Sequence, residues 1–264
     1  MMRRVVTAVF LLSLVLLSIR FLPPSLFLLV IDLILGLGVF ELFRLLARYG
    51  VEAYWFTYPL TLLLPWVWTY SPEWVLNYLV VSGLICMGYS VFQTREMKKG
   101  FLSMSGNLMA IFYLGVPLSI AGSFQSSLVL RLHLLMVLSV VCAGDIFAYG
   151  VGKKWGKHKV ASRVSPHKSL EGYVAGLLFS VLAAMVFGHF FIPAWSTAYL
   201  LLILIGAFLG LVSMVGDLFE SMLKRGADIK DSSNLLPGHG GVLDRIDSLL
   251  FALPAYYTLL VLIK

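Results

Sequence analysis

Four aspartates in the second half of this chain stand at spacings that could do chemistry. Asp217, Ser221 and Lys224 are spaced i, i+4, i+7, which places them on one face of a helix. Asp244 and Asp247, spaced i, i+3, make a second acidic face where another apolar run begins. Asp145 lies in Gly144-Asp145-Ile146-Phe147-Ala148-Tyr149, and Glu220, Asp228 and Asp231 fall between the two acidic faces. The stretches 152–169 and 224–245 add ten Lys and Arg. Carboxylates without histidine or cysteine beside them make an oxygen-only site, which suits Mg²⁺ held by one or two carboxylates plus substrate phosphates. Lysine and arginine supply positive charge to phosphate oxygens. The turn Pro237-Gly238-His239-Gly240-Gly241, just before a helix, lets backbone amides come close to an anion. It is not a Walker A loop, because no Gly-Lys-Ser or Gly-Lys-Thr follows the glycines.

The elements that position these residues lie in a membrane. Of 264 residues, 60% are hydrophobic and 12% charged, which is about half the charge of an ordinary soluble chain. An apolar helix of about 20 residues crosses the hydrocarbon core. Apolar runs bounded by Pro, Gly or charge predict about nine transmembrane helices, near 4–22, 25–46, 54–70, 73–93, 102–122, 128–151, 170–191, 197–223 and 244–263. The expected fold is therefore all-α, a polytopic integral membrane protein with no room for a soluble domain. Alternate connections hold 17 of the 20 Lys and Arg, so the N-terminus is expected in the cytoplasm and both long basic loops face it. The start, Met1-Met2-Arg3-Arg4 before an apolar run, reads as a retained first span rather than a cleaved signal. The net charge of +7 follows from this topology, and no nucleic acid partner is expected. Metal, phosphate and bilayer together indicate phosphoryl or nucleotidyl transfer at the membrane surface.

The chain divides into N-terminal transmembrane helices (1–70), central transmembrane helices (71–143) and a C-terminal catalytic region with two cytoplasmic loops (144–264). Cys86 and Cys142 lie in apolar stretches and are expected to be buried packing residues. The aromatics Tyr54, Trp55, Tyr58, Trp66, Trp68 and Tyr70 suggest interfacial belts. Gly172-xxx-Gly176 and Gly206-xxx-Gly210 favour close packing within one chain, with a homodimer seam as their other use. Asp32, mid-span, needs a hydrogen bond to a neighbouring helix, since an intramembrane acid costs about 2.5–3.5 kcal/mol on insertion scales. Glu41, three residues before Arg44, is expected to pair with it. His133 is expected to be packed on a helix, and His189 to be exposed in a loop.

Residues 221–247 resemble the signature of the phosphatidate cytidylyltransferases, also called CDP-diacylglycerol synthases. That signature reads S-x-x-K-R-x4-K-D, a short spacer, then H-G-G-x-x-D-R-x-D. Ser221, Lys224, Arg225, Lys230, Asp231, His239, Gly240, Gly241, Asp244, Arg245 and Asp247 all fall in place. The stretch Ser165-Pro166-His167-Lys168-Ser169-Leu170-Glu171-Gly172 is also similar to the family, as are Gly144-Asp145, Gly152-Lys153 and Gly156-Lys157. The resemblance implies the reaction CTP + phosphatidate → CDP-diacylglycerol + pyrophosphate, dependent on Mg²⁺, at the cytoplasmic face of the cell membrane.

On that resemblance, Asp217 and Asp244 are assigned to one or two Mg²⁺ ions, with Asp145 or Asp247 next. Lys224, Arg225, Lys230 and Arg245 would hold the triphosphate and the lipid headgroup, with Ser221 beside them. Lys168 would close over the nucleotide. Gly240 and Gly241 would bring amides to phosphate, and His239 would bond phosphate or hold the turn. Lys153, Lys154, Lys157 and Lys159 are assigned instead to anionic membrane lipids. The rivals are another CTP-using lipid enzyme, such as a polyprenol kinase, and a secondary transporter. A transporter predicts midplane acids and duplicated halves, whereas most acids here cluster at one face and no repeat is visible.

Overall fold

The computed structural model describes residues 13–93, 96–233, 235 and 240–263. Among these residues the secondary structure is almost all helical, with an isolated antiparallel bridge between Lys159 and Ser169 and a bridge residue at Gly240. The helices are α1 (13–21), α2 (Pro24–Leu46), α3 (Thr57–Tyr70), α4 (Val75–Gln93), α5 (Met97–Met109), α6 (Val116–Ser123), α7 (Leu128–Trp155), α8 (Leu170–Phe191), α9 (Tyr199–Gly226) and α10 (Leu243–Ile263). A single π-helical turn, Ala110–Gly115, carries α5 into α6. Local chemistry sets several starts. Proline stands at the first position of α2, where its missing N–H costs nothing. Ser127 and Ser169 cap α7 and α8 by accepting hydrogen bonds from Leu130 N and Gly172 N.

Seven helices among the described residues are long and apolar enough to cross a membrane. They match seven of the nine expected spans. Residues 4–12 of the first expected span lie outside the described residues, and 13–21 are helical. The third is only 14 residues long, about 21 Å of helix, which is short of a hydrocarbon core of about 30 Å.

The helices form two compact units that cut across the linear division of the sequence. One comprises residues 1–126 and 226–246, the other 127–225 and 247–264. In the first unit, Asn107 is a fully buried hub. Its Oδ1 accepts from Tyr54 N at 2.8 Å and Thr57 Oγ1 at 2.7 Å. Its Nδ2 donates to Glu52 O at 2.8 Å and Ser103 O at 2.7 Å. These bonds fasten the segment before α3 to α5. Tyr54 is consequently buried among Phe56, Leu64, Cys86 and Ile111 instead of standing in an interfacial belt, whereas Trp55 and Tyr70 are exposed. Asp32 has the neighbouring-helix partner it needs, since Trp66 Nε1 donates to its Oδ2 at 2.7 Å.

In the second unit, small residues let helices touch. A side chain on Gly172 would come within 2.7 Å of Ala148 O, one on Gly176 within 2.9 Å of Gly144 O, and one on Gly206 within 2.6 Å of Val181 Cα. Both glycine pairs thus serve packing inside the chain. His133 is buried, with Nδ1 2.5 Å from the Tyr256 hydroxyl. His189 is exposed but belongs to the last turn of α8, not to a loop. Cys142 is exposed, contrary to expectation. Apolar surroundings in such a sequence mark membrane depth, and the outward faces of spanning helices are as apolar as the inward ones.

Replacing Asn107 with leucine should strand Tyr54 N–H and Glu52 C=O, each costing about 1–3 kcal/mol when buried. The melting temperature of purified protein in detergent should fall by several degrees. An unchanged value would mean that the hub does not hold the first unit together.

Candidate active site

Within the second unit, the C-terminal half of α7, the connection 156–169, the first turn of α8 and α9 around Asp217 enclose a cavity of about 640 Å³. Two aspartates, Asp145 and Asp217, and three lysines, Lys153, Lys159 and Lys168, line it. Ser165, His167, Ser169 and Tyr173 add polar groups, and Gly144, Gly152, Gly156 and Gly172 keep the walls thin.

The loop reaches the cavity because Glu171 folds it back. The Glu171 carboxylate accepts from the backbone N–H of Lys157 at 3.1 Å and of His158 at 3.2 Å, and it lies 2.6 Å from His158 Nδ1. Leu170 N then donates to His158 O at 2.8 Å, and Val160 N to Lys168 O at 3.3 Å. This hairpin turns Lys159 and Lys168 toward α9. Lys168 Nζ lies 2.5 Å from Asp217 Oδ2. Two turns on, Lys224 is ion-paired with Glu220, which is fully buried. Arg225 Nε donates to Val164 O at 3.3 Å and ties the end of α9 to the same loop. Asp247 is buried and within electrostatic range of Asp217, Asp145 and Lys224.

The sequence foresaw Asp145, Asp217, Asp247, Lys168 and Lys224 in this unit. It missed Lys153 and Lys159, which were assigned to lipid headgroups yet line the cavity. It also missed Tyr173. That hydroxyl is buried, has no hydrogen-bond partner among the described residues, and feels the charge of Asp217. The signal for Tyr173 was its place next to Gly172, at the first turn of the helix that follows Lys168.

Lys230, Asp231, Gly240, Gly241, Asp244 and Arg245 belong to the first unit. Asp244 Oδ2 accepts from Ser232 N at 2.9 Å, Ser232 Oγ at 2.8 Å and Gly241 N at 2.8 Å. The Gly241 amide therefore goes to Asp244 rather than standing open for phosphate. Gly240 has φ of +76°, a conformation that favours glycine, and a side chain there would lie 2.7 Å from Asp244 Oδ2. Lys230, Asp231 and Arg245 are exposed, and Ser221, in the second unit, is half-buried. His239 lies outside the described residues. The expected Glu41–Arg44 pair does not form. Glu41 is fully buried and faces the start of α10, whereas Arg44 is exposed with its guanidinium over Phe40. The clue was available, because Gly38, Glu41 and Leu45 share the buried face of α2.

Among the described residues, no group of three or more His, Cys, Asp and Glu is placed to hold a metal ion by itself. Asp145 and Asp217 offer oxygen donors in one cavity with lysines beside them. Two carboxylates without soft ligands fit a hard cation that completes its shell with water and substrate phosphates.

The model of the cytidylyltransferase family matches residues 2–263. The phosphatidate cytidylyltransferase of Pseudomonas aeruginosa is 38% identical over 277 residues, covering 98% of this chain and 96% of its own. That of Staphylococcus saprophyticus is 37% identical over 196 residues, 72% of each chain. The Bacillus subtilis protein of the same name is 45% identical over 123 residues, 47% of this chain and 45% of its own.

Glu171→Ala removes the acceptor that folds the loop back. Backbone hydrogen exchange over 157–169 should rise while exchange in α9 stays as it was. Unaltered exchange over 157–169 would show that Glu171 does not shape this wall of the cavity.

Proposed function

The chain belongs to the cytidylyltransferase family, and we propose that it transfers CMP from CTP to phosphatidate in the cavity lined by Asp145, Lys168 and Asp217, giving CDP-diacylglycerol and pyrophosphate. The observation that carries this reading is a cavity with three lysines around two aspartates. Both substrates are polyanions, and they repel each other. Phosphatidate is a phosphate monoester, mostly dianionic near neutral pH because its second pKa is about 6. It needs no general base to attack the α-phosphorus of CTP. What it needs is neutralisation and alignment, which can supply most of the acceleration.

Lys153, Lys159 and Lys168, which line the cavity, would take phosphate oxygens. Lys168 reaches the anion by giving up Asp217, its partner in the structure. Lys224, already balanced by Glu220, would support the site from two turns further along α9. The Tyr173 hydroxyl can donate to a phosphate oxygen at the cavity wall. Asp217 and Asp145 are the residues that would hold Mg²⁺, which when bound supplies charge to the phosphoryl group under attack and to the leaving pyrophosphate. The signature also nominates Asp244 as a metal ligand, on sequence grounds alone.

The bias of basic residues to alternate connections supports nine spans, a cytoplasmic N-terminus and a cavity open to the cytoplasm, where CTP is available. The expected location is the cell membrane.

Purified protein given CTP, phosphatidate and Mg²⁺ should release pyrophosphate, and omitting any one of the three should stop it. Release of CDP with a phosphorylated alcohol would make the chain a kinase instead. Asp217→Asn should lower kcat by about a thousandfold, the loss typical of a key charge-stabilising group. Tyr173→Phe should cost roughly tenfold, one hydrogen bond to a charged group. Wild-type rates in Asp217→Asn would remove it from the site.

A further inference from the structure

We infer that Glu41, a carboxylate on α2, is a positioning residue that ties Ser232 and Ser233 to the start of α10 and sets where that helix begins. Four donors converge on it. Oε1 accepts from Ser233 Oγ at 2.6 Å and Val242 N at 3.0 Å, and Oε2 from Leu243 N at 2.8 Å and Ser232 Oγ at 3.0 Å. All of these partners lie about 190–200 positions further along the chain, in the same compact unit. Glu41 is fully buried, and both of its oxygens are used twice.

The chemistry explains the arrangement. The first amides of a helix have no partner within it and draw negative charge. Helices are usually capped by a residue of their own chain segment. Here the amides of Val242 and Leu243, at the start of α10, are capped by a carboxylate from another helix. Access depends on Gly241, because a side chain there would collide with Glu41 Oε2 and Ser232 Oγ. The Ser232 hydroxyl lies between the two acids, 3.0 Å from Glu41 Oε2 and 2.8 Å from Asp244 Oδ2. Glu41 thus acts on Asp244 through Ser232 and through the amides that start the helix bearing Asp244 and Arg245. A carboxamide at position 41 keeps the volume but replaces one twice-used acceptor with a donor facing other donors. A salt bridge to Arg44 would have needed none of these contacts.

The catalytic part of this inference rests on the reaction proposed above, and the anchoring part does not. The test compares wild type with Glu41→Gln and Glu41→Ala in three measurements: hydrogen exchange by peptide, melting temperature, and kcat and KM for CTP. Glu41→Gln should raise exchange over 240–245 and leave α4 and α8 unchanged. Its kcat should fall roughly 10- to 100-fold, the loss of one hydrogen bond to a charged group, while KM for CTP stays within about threefold. Unchanged exchange over 240–245 would overturn the anchor. An unchanged kcat would overturn the positioning role, and so would a loss of kcat that follows a chain-wide rise in exchange. Should both variants fail to fold, Ser233→Ala decides by the same measurements, with local exchange raised and kcat lowered about two- to fivefold. If wild-type protein releases no pyrophosphate, the proposed reaction fails, and the exchange comparison still decides whether Glu41 holds the start of α10.

Discussion

An ionised side chain inside a chain this apolar has to be given partners, and the partners differ in kind from acid to acid. Asp32 takes an indole N–H. Glu41 takes two amides and two hydroxyls. Asp244 takes two amides and shares the single Ser232 hydroxyl proton with Glu41. Glu220 and Asp217 take lysines. Amides and capping serines are fixed by the backbone, so an acid they satisfy becomes a rigid joint. A lysine on a flexible stem can be drawn away by a stronger anion. Of the two acids held by lysines, Asp217 is the one that lines the cavity, so its partner is exchangeable where substrate can reach it.

The same distinction accounts for the glycines and serines that crowd the signature segments. Gly172 and Gly176 bring α8 against α7 closely enough for Lys153, on one helix, and Tyr173, on the other, to share a cavity wall. In the first unit Gly240 and Gly241 do comparable work, one by its positive φ and one by leaving room for the Glu41 carboxylate and the Ser232 hydroxyl. Ser169 caps α8 and also lines the cavity, so the start of that helix and the shape of the site are set by one residue.

Much of this was readable in the sequence because the signals were local. Span lengths, cap residues and the spacing Asp217-Ser221-Lys224 need no tertiary knowledge. The Asp32 partner was readable in kind, though not by name, since burial alone demands a donor. The failures are long-range. Glu41 stood near Arg44, and the local pairing rule offered an answer 200 residues short of the true one. Lys153 and Lys159 read as membrane anchors because nothing in their spacing reveals that Glu171 folds their loop back. Cys142 failed for another reason. Hydropathy reports the solvent a helix sits in, and for a spanning helix the inward and outward faces give the same reading. The two units, each assembled from separated stretches, are invisible to any reading that cuts the chain at composition changes.

On the proposed reaction, the lysine–aspartate pair also explains why a cation-rich cavity tolerates its own charge. Three lysines held close together would repel one another, and lining the same walls with Asp145 and Asp217 offsets that repulsion before substrate arrives. On that reading, Lys168 would leave Asp217 for the triphosphate, and Asp217 with Asp145 would hold a hard divalent ion that offsets the lost positive charge. Binding then becomes an exchange of partners rather than an accumulation of charge. The cost of separating Lys168 from Asp217 is offset by two new contacts, so the nucleotide and its metal favour each other's entry over that of either alone.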